Sequence, residues 1–306
     1  MTIILKDDDL PGYAFMGFAI DAVERVFMAR ARGESVSPPR HHVAFPQSGE
    51  LVFTIGGVLG DKPLAGFRVY DTFEGREHTQ IVAVWSADDA KLKGLILGER
   101  LGAIRTGAIG GVAIRHMSSL DAHVVGVVGS GLQARTQLAA AVAVRKINLA
   151  RVYSRDESHR AAFAEEMQRE LGIEVRPAAS AREAVADADI VICATSSHRP
   201  VIAAADLKPG AHINTLGPKT VDAHEIGFDV ATVATIIATD SAEQTRAYAS
   251  PFFLAGSAHQ RRMSELSAII GGMAPGRGAD EDITLFCSVG MAGTEVVVAS
   301  AIFDDL

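Results

Sequence analysis

Cysteine is nearly missing from this 306-residue chain: Cys193 and Cys287 are the only two, far apart and without metal-ligand spacing. Neither a disulfide scaffold nor a structural zinc site is expected from such a pair. Basic residues are in the minority, with 29 Lys and Arg against 37 Asp and Glu, a formal charge of −8. A nucleic-acid binder needs a basic stripe to neutralise phosphates, and the sequence has none. No uncharged apolar run reaches the roughly 18 residues that cross a bilayer. The first dozen residues hold an acidic run, Asp7-Asp8-Asp9, and not the basic-then-apolar pattern of a secretory signal. Repeats with periods of about 20–50 residues and low-complexity tracts are absent as well. What is present is an apolar-rich chain, 48% hydrophobic, long enough for two buried cores. The expectation is a soluble two-domain protein of a reducing compartment, the cytoplasm.

Ile20, Val23, Phe27 and Ala31, with Asp21, Glu24 and Arg25 on other faces, predict an amphipathic helix over residues 20–32. Gly33 and Ser37-Pro38-Pro39 end it. Short β-type runs follow at 51–55, 66–70 and 80–85, separated by Gly, Pro and Asp, as in a small antiparallel sheet. Beyond Leu120 the rhythm changes to alternation. Strands are expected at 124–128, 150–153, 190–193, 212–215, 233–238 and 283–286, and helices at 132–145, 157–171 and 291–303. This alternation predicts an α/β fold with a doubly wound parallel sheet of Rossmann type. The last helix is expected to leave that sheet and pack on the first domain.

Within the alternation, Gly129-Ser130-Gly131-Leu132-Gln133-Ala134 reads G-x-G-x-x-A. The spacing alone is weak, but here it follows a strand and opens a helix, the context that binds a dinucleotide. Gly129 and Gly131 permit a tight turn and let backbone N–H groups approach a pyrophosphate. The first helical turn, residues 132–135, carries no carboxylate, as an anionic ligand at that terminus requires. At the end of the next strand stands Ser154-Arg155-Asp156. A hydroxyl followed by a guanidinium suits a 2′-phosphate, with Asp156 as the cap of the next helix, so the expected cofactor is NADPH in preference to NADH.

Several ordered segments extend the motif. They are Arg105-Thr106-Gly107-Ala108, Ala194-Thr195-Ser196, His212-Ile213-Asn214-Thr215-Leu216-Gly217, and the run from Thr284 through Gly290-Met291-Ala292. With these the chain resembles the ornithine cyclodeaminase/μ-crystallin family over nearly its whole length. The resemblance implies a Rossmann domain, residues 119–287, and a smaller α+β substrate and dimerisation domain, residues 1–118, completed by the C-terminal helix at 288–306. It implies a homodimer and a small amino- or imino-acid substrate whose carboxylate is held by Arg40 and Arg105. It further implies cofactor contacts from Thr106, Gly129, Gly131, Leu132, Gln133, Ala194, Thr195, Ser196, Gly217, Gly290 and Met291, with Glu50 near a substrate amine.

Two departures bear on the reaction. The family commonly has lysine in a Gly-x-Lys segment where this chain has Gly66-Phe67-Arg68. Cyclodeaminases carry an aspartate after the Asn-x-x-Gly turn, where this chain has Lys219. A lysine there repels the distal ammonium of ornithine, by up to about 4 kcal/mol at an effective dielectric of about 20. The leading expectation is therefore an NADPH-dependent reductase of an imine of a small 2-oxo acid, or in reverse an amino-acid dehydrogenase. A cyclic ketimine such as a pyrroline- or piperideine-carboxylate is one candidate substrate. Lys219 or Arg68 would polarise or protonate the imine nitrogen. Ornithine cyclodeaminase and a nucleotide-dependent binding protein stand as alternatives. No metal is expected, since His41-His42 lack a third ligand, and Met263, Met273 and Met291 read as core.

Overall fold

The computed structural model describes residues 2–45, 48–60, 62–73 and 79–305. Near the N-terminus β1 (Ile3–Lys6), β2 (Ser35–Val36), β3 (His41–Phe45), β4 (Gly49–Val58), β5 (Leu64–Asp71), β6 (Gln80–Ser86) and β7 (Leu92–Leu97) make one sheet in the order β1-β7-β6-β5-β4-β2, with β3 also pairing β4. Strands β4 to β7 are an antiparallel meander, and β1 joins β7 in parallel. On the inner face lie Val52, Thr54, Arg68, Val82 and Val84, all buried. The C-terminal helix, Thr294–Asp304, lies directly on β4 to β7, and α1 (Met16–Ala31) and α2 (Arg100–Met117) pack against it. Of the stripe that the sequence marks out, Ile20, Val23 and Phe27 are fully buried and Ala31 is half-buried.

The second sheet is wholly parallel. It comprises β8 (Val124–Val128), β9 (Leu149–Tyr153), β10 (Glu174–Pro177), β11 (Ile190–Cys193), β12 (His212–Thr215), β13 (Ile236–Thr239), β14 (Ser264–Glu265) and β15 (Thr284–Cys287). The order is β10-β9-β8-β11-β12-β15-β13-β14. Helix α3 (Leu132–Val144) follows β8, and α4 (Glu157–Leu171) follows β9. Separate apolar clusters fill its two faces, one around Leu138, Val152 and Phe163, the other around Ile213, Phe252 and Leu285.

Three expectations are corrected. The strand expected at 233–238 is the end of a short helix, Phe228–Val233, followed by β13. The last helix begins at Thr294 and not at 291, because the preceding residues form a loop tied to Asp240. Met273 is 64% exposed and is not core. Helix α2 was legible only as its R-T-G-A run. It is packed by α1 on one side and α3 on another, so it has no polar stripe to reveal its period. Among the described residues, no helix is long and apolar enough to cross a membrane.

A buried polar chain ties the parallel sheet to α2. The Asn214 amide donates to the Gly110 carbonyl and to Gln137 Oε1 (3.2 and 3.1 Å), and Gln137 donates to the Thr106 carbonyl (2.8 Å). His212 meets Asn214 Oδ1 through Nε2 and Thr284 Oγ1 through Nδ1, both at 2.8 Å. Burial pushes the His212 imidazole from 6.5 down to about 3, so it stays neutral in the folded protein. In the unfolded chain it takes up a proton near pH 6.5, so folding stability falls as pH drops below that value and His212 refuses the proton. The expected slope is up to about 1.4 kcal/mol per pH unit. Urea denaturation at pH 6 and at pH 5 should show this loss in the wild type and a flatter dependence in His212→Asn.

Candidate functional site

In a parallel sheet all carboxyl ends share one edge, and a crevice opens where the strand order reverses, here between β8 and β11. Gly129 leaves β8 at φ +113°, and a Cβ there would sit 2.2 Å from the Ala194 carbonyl oxygen, so only glycine fits the turn. Gly131 differs: no atom comes within 4 Å of the place its Cβ would take. It is the N-cap of α3, and no side chain caps that helix. The amides of the first turn thus lack a side-chain cap, Leu132 beside them is 40% exposed, and the buried Gln133 Oε1 has no partner among the described residues. Such a cradle fits a pyrophosphate. At the end of β9, Asp156 accepts the His159 N–H and the Ser158 hydroxyl (2.9 and 2.6 Å) as the cap of α4. The Ser154 hydroxyl donates to the Asp156 carbonyl, and Arg155 is exposed.

Across the crevice the ends of β11 and β12 are bound by one buried carboxylate. Glu225 accepts the Thr195 N–H and hydroxyl through Oε2, and the Thr215 hydroxyl and the Leu216 and Gly217 N–H groups through Oε1. Ala194 and Thr195 are half-buried on this edge, and Ser196 is exposed. Lys219 follows the turn and is only 5% exposed, its Nζ donating to the Gly217 carbonyl at 2.6 Å. Burial lowers its pKa, against the opposing pull of Glu225, Cys287 and Asp240. The Cys287 thiol beside it is pushed up by burial to about 12, so it stays protonated and unreactive.

The arginines converge from the other sheet. Arg40 Nη2 donates to the Val289 and Gly290 carbonyls (2.5 and 3.1 Å). A Cβ on Gly290, whose φ is +82°, would meet Arg40 Nη2 at 2.3 Å and Arg105 Nη1 at 3.0 Å, so both guanidiniums flank that one backbone point. Arg105 is 7% exposed and has no hydrogen-bond acceptor among the described residues. Arg40 Nε and Arg105 Nε are buried and have no hydrogen-bond partner among the described residues. Arg68 donates to Gln80 Oε1 (3.0 and 2.6 Å) and lies 4.2 Å from the centre of the Tyr70 ring. Burial, with Arg105 adding to it, lowers Arg68 to about 10. Glu295, which acts on both Arg68 and Arg105, is 1% exposed and takes the Thr54 hydroxyl at 2.5 Å. Burial raises its pKa, but Arg105, Arg68 and the hydrogen bonds it accepts together more than offset that and hold it ionised. Two guanidiniums about 5 Å apart repel by roughly 3 kcal/mol at an effective dielectric of about 20, a repulsion that a carboxylate between them reverses.

Not every expected residue joins this group. Glu50 lies on the exposed β3–β4 hairpin, bonded to His42 Nδ1 at 2.7 Å, four residues along β4 from Thr54 or about 14 Å at strand rise. Met291 is fully buried, and its N–H is held by Asp240. The Thr106 hydroxyl donates to the Gly102 carbonyl within α2. Glu225, Asp240, Gln244 and Glu295 were not picked out by the sequence reading. One signal did exist: Glu295 is the single acid at the start of an otherwise apolar stretch, and such an acid must be paired when buried.

The model of the ornithine cyclodeaminase/mu-crystallin family matches residues 2–306. A Delta(1)-pyrroline-2-carboxylate reductase of Bacillus cereus is 34% identical over 218 residues, 69% of this chain and 66% of that protein's length, just under two thirds. The solved structure of Thermococcus litoralis Delta(1)-pyrroline-2-carboxylate reductase in complex with NADH and L-proline is similar at TM-score 0.87 and 29% identity, covering 99% of this chain and 97% of that one. An archaeal alanine dehydrogenase dimer with bound NAD matches at TM-score 0.86 and 25% identity, over 99% and 95% of the two chains.

The two glycines of the turn should respond oppositely to one substitution. Gly131→Ser gains a helix cap and keeps or raises stability by about 0.3 kcal/mol. Gly129→Ser meets the Ala194 carbonyl at a left-handed φ and loses about 2 kcal/mol or more. Denaturation midpoints of the two variants check this.

Proposed function

The chain belongs to the ornithine cyclodeaminase/mu-crystallin family, and from that premise we propose that it is a nicotinamide-dependent reductase of a small imino acid carrying one carboxylate and a neutral side chain. A cyclic ketimine such as Δ1-pyrroline-2-carboxylate is the model substrate. The observation that carries the reading is the charge count at the site. Among the described residues, Arg40, Arg68, Arg105 and Lys219 bring four positive charges, and Glu225, Asp240 and Glu295 bring three negative ones. One carboxylate completes the balance, at the unpaired Nε groups of Arg40 and Arg105. A second carboxylate overfills it, and the distal ammonium of ornithine meets Lys219 where a cyclodeaminase offers an acid.

The division of work follows from the contacts. Arg40 and Arg105 grip the carboxylate and fix the imine carbon. A bound reduced nicotinamide supplies a hydride to that carbon. Lys219 Nζ holds the proton for the imine nitrogen, and its burial makes that proton easier to give up. Arg68, held by Gln80 and Tyr70, keeps its proton and acts as a fixed positive charge. In the opposite direction the same groups oxidise an amino acid. For the cofactor, the occupation of Asp156 as a helix cap and the exposure of Arg155 support NADPH over NADH.

The protein works as a homodimer on this reading. The outer face of the first sheet aligns Phe53, Ile55, Phe67, Val69, Ile81 and Trp85 in cross-strand register, with Ile55 50% exposed. A contiguous apolar face of this kind is covered in a stable protein. The two buried, unpaired thiols suit a reducing compartment such as the cytoplasm.

Consumption of NADPH with Δ1-pyrroline-2-carboxylate is the direct test. Oxidation of NADPH is expected, and no release of ammonia from ornithine. Lys219→Met should lower kcat about 100-fold with little change in KM. Turnover of ornithine by the wild type, or an unchanged kcat in the variant, sinks the assignment of Lys219. Arg155→Asp should raise the KM for NADPH and leave that for NADH nearly unchanged, whereas a wild type that prefers NADH overturns the cofactor choice.

A further inference from the structure

Arg40 comes from the short connection between β2 and β3 in the first sheet, yet its hydrogen bonds go to segments that follow β13 and β15 of the second. Its backbone N–H donates to Gln244 Oε1 at 3.0 Å, and its Nη2 donates to the carbonyls of Val289 and Gly290. Those two carbonyls are themselves aimed by Asp240, which is fully buried at the end of β13. Its Oδ1 accepts the Val289 N–H at 2.7 Å, and its Oδ2 accepts the N–H groups of Gly290 and Met291 at 2.7 and 2.9 Å. In a trans peptide the N–H and C=O point in opposite directions. The Gly290 N–H shares a peptide with the Val289 carbonyl, and the Met291 N–H shares one with the Gly290 carbonyl. A carboxylate that pulls both N–H groups to one side therefore turns both carbonyls to the other, where Arg40 lies. The positive φ of Gly290 allows this succession, and the absence of a Cβ leaves room for the guanidinium.

We propose that Asp240 and Gln244 are positioning residues that set Arg40 for the substrate carboxylate, Asp240 through the 289–291 backbone and Gln244 through the Arg40 amide. They lie four residues apart on one segment, Asp240 to Gln244, that directly follows a strand of the parallel sheet. Arg40, one residue ahead of β3, is thereby also tied to the strand ends that frame the cofactor crevice. The carboxylate grip and the crevice are held in one frame, which hydride transfer to a defined carbon requires. The kinetic part of this inference rests on the proposed imine reduction. The structural part does not.

The test compares wild type, Asp240→Asn and Gln244→Leu. Asparagine keeps the shape of Asp240 but removes its negative charge and turns an N–H donor toward the backbone, either against the Val289 N–H or against those of Gly290 and Met291 together, so the three-point hold on the 289–291 backbone is broken. Both variants should raise the KM for Δ1-pyrroline-2-carboxylate about 10-fold or more while changing kcat less, and should leave the Kd for NADPH within about 2-fold. A KM within about 2-fold of wild type in both variants overturns the proposal, as does an equal weakening of substrate and NADPH, which marks general loosening. Should the wild type fail to reduce the imine, the function reading falls, and a crystal structure of Asp240→Asn still decides the positioning. Arg40 displaced from the 289 and 290 carbonyls supports it, and Arg40 unmoved refutes it.

Discussion

Positive charge buried at the junction of two sheets is the constraint on which the rest of this structure turns. Removing an ion from water costs several kcal/mol even after relaxation, against a net folding stability of about 5–15 kcal/mol. Four cations in one another's field therefore need compensation from within the fold. The simplest compensation, a direct ion pair for each, would use up the donors that a carboxylate ligand needs. Each buried acid instead takes N–H or O–H groups: Glu225 at the ends of β11 and β12, Asp240 on the loop after β15, Glu295 on Thr54. Three of the four positive charges are offset at short distance, and Arg40 Nε and Arg105 Nε have no partner among the described residues.

That arrangement explains features of packing that otherwise look unrelated. The C-terminal helix returns to the first sheet because it carries Glu295 to the arginines and, with the same turn, buries Val296, Val298 and Ala299 on the strands. Helix α2 is enclosed by α1 and α3 because it places Arg105 at the crevice while its far side joins the Asn214–Gln137 chain. The mouth of the crevice, by contrast, is under-packed. Gly131 is surrounded by space, α3 has no side-chain cap, and Gln133 Oε1 has no partner. Stability is set aside there in favour of a ligand that supplies the missing contacts.

Much of this was legible in the residues. The alternation of strands and helices, the glycine turn and the acid-free first turn of α3 are local properties, and local periodicity and φ requirements are written in neighbouring side chains. The same holds for Asp156, whose neighbours make it a cap. Less legible was α2, since a helix packed on several sides has no amphipathic stripe. The start of the last helix was misjudged because apolar composition continues through 291–293 while the backbone there is turned by a carboxylate about 50 residues away.

The sequence by itself determined the fold class, the nucleotide motif and the residue types available for chemistry, because each depends on short-range pattern. It also determined that the residue at 219 is a cation. Only the tertiary structure decided that Lys219 is buried against the Gly217 carbonyl, that Glu50 sits on an outlying hairpin, and that three unremarkable acids lie in the field of the arginines and Lys219. The physical reason is that burial and charge compensation are sums over neighbours. In a parallel sheet those neighbours come from strand ends far apart in the chain, so no window of sequence contains them.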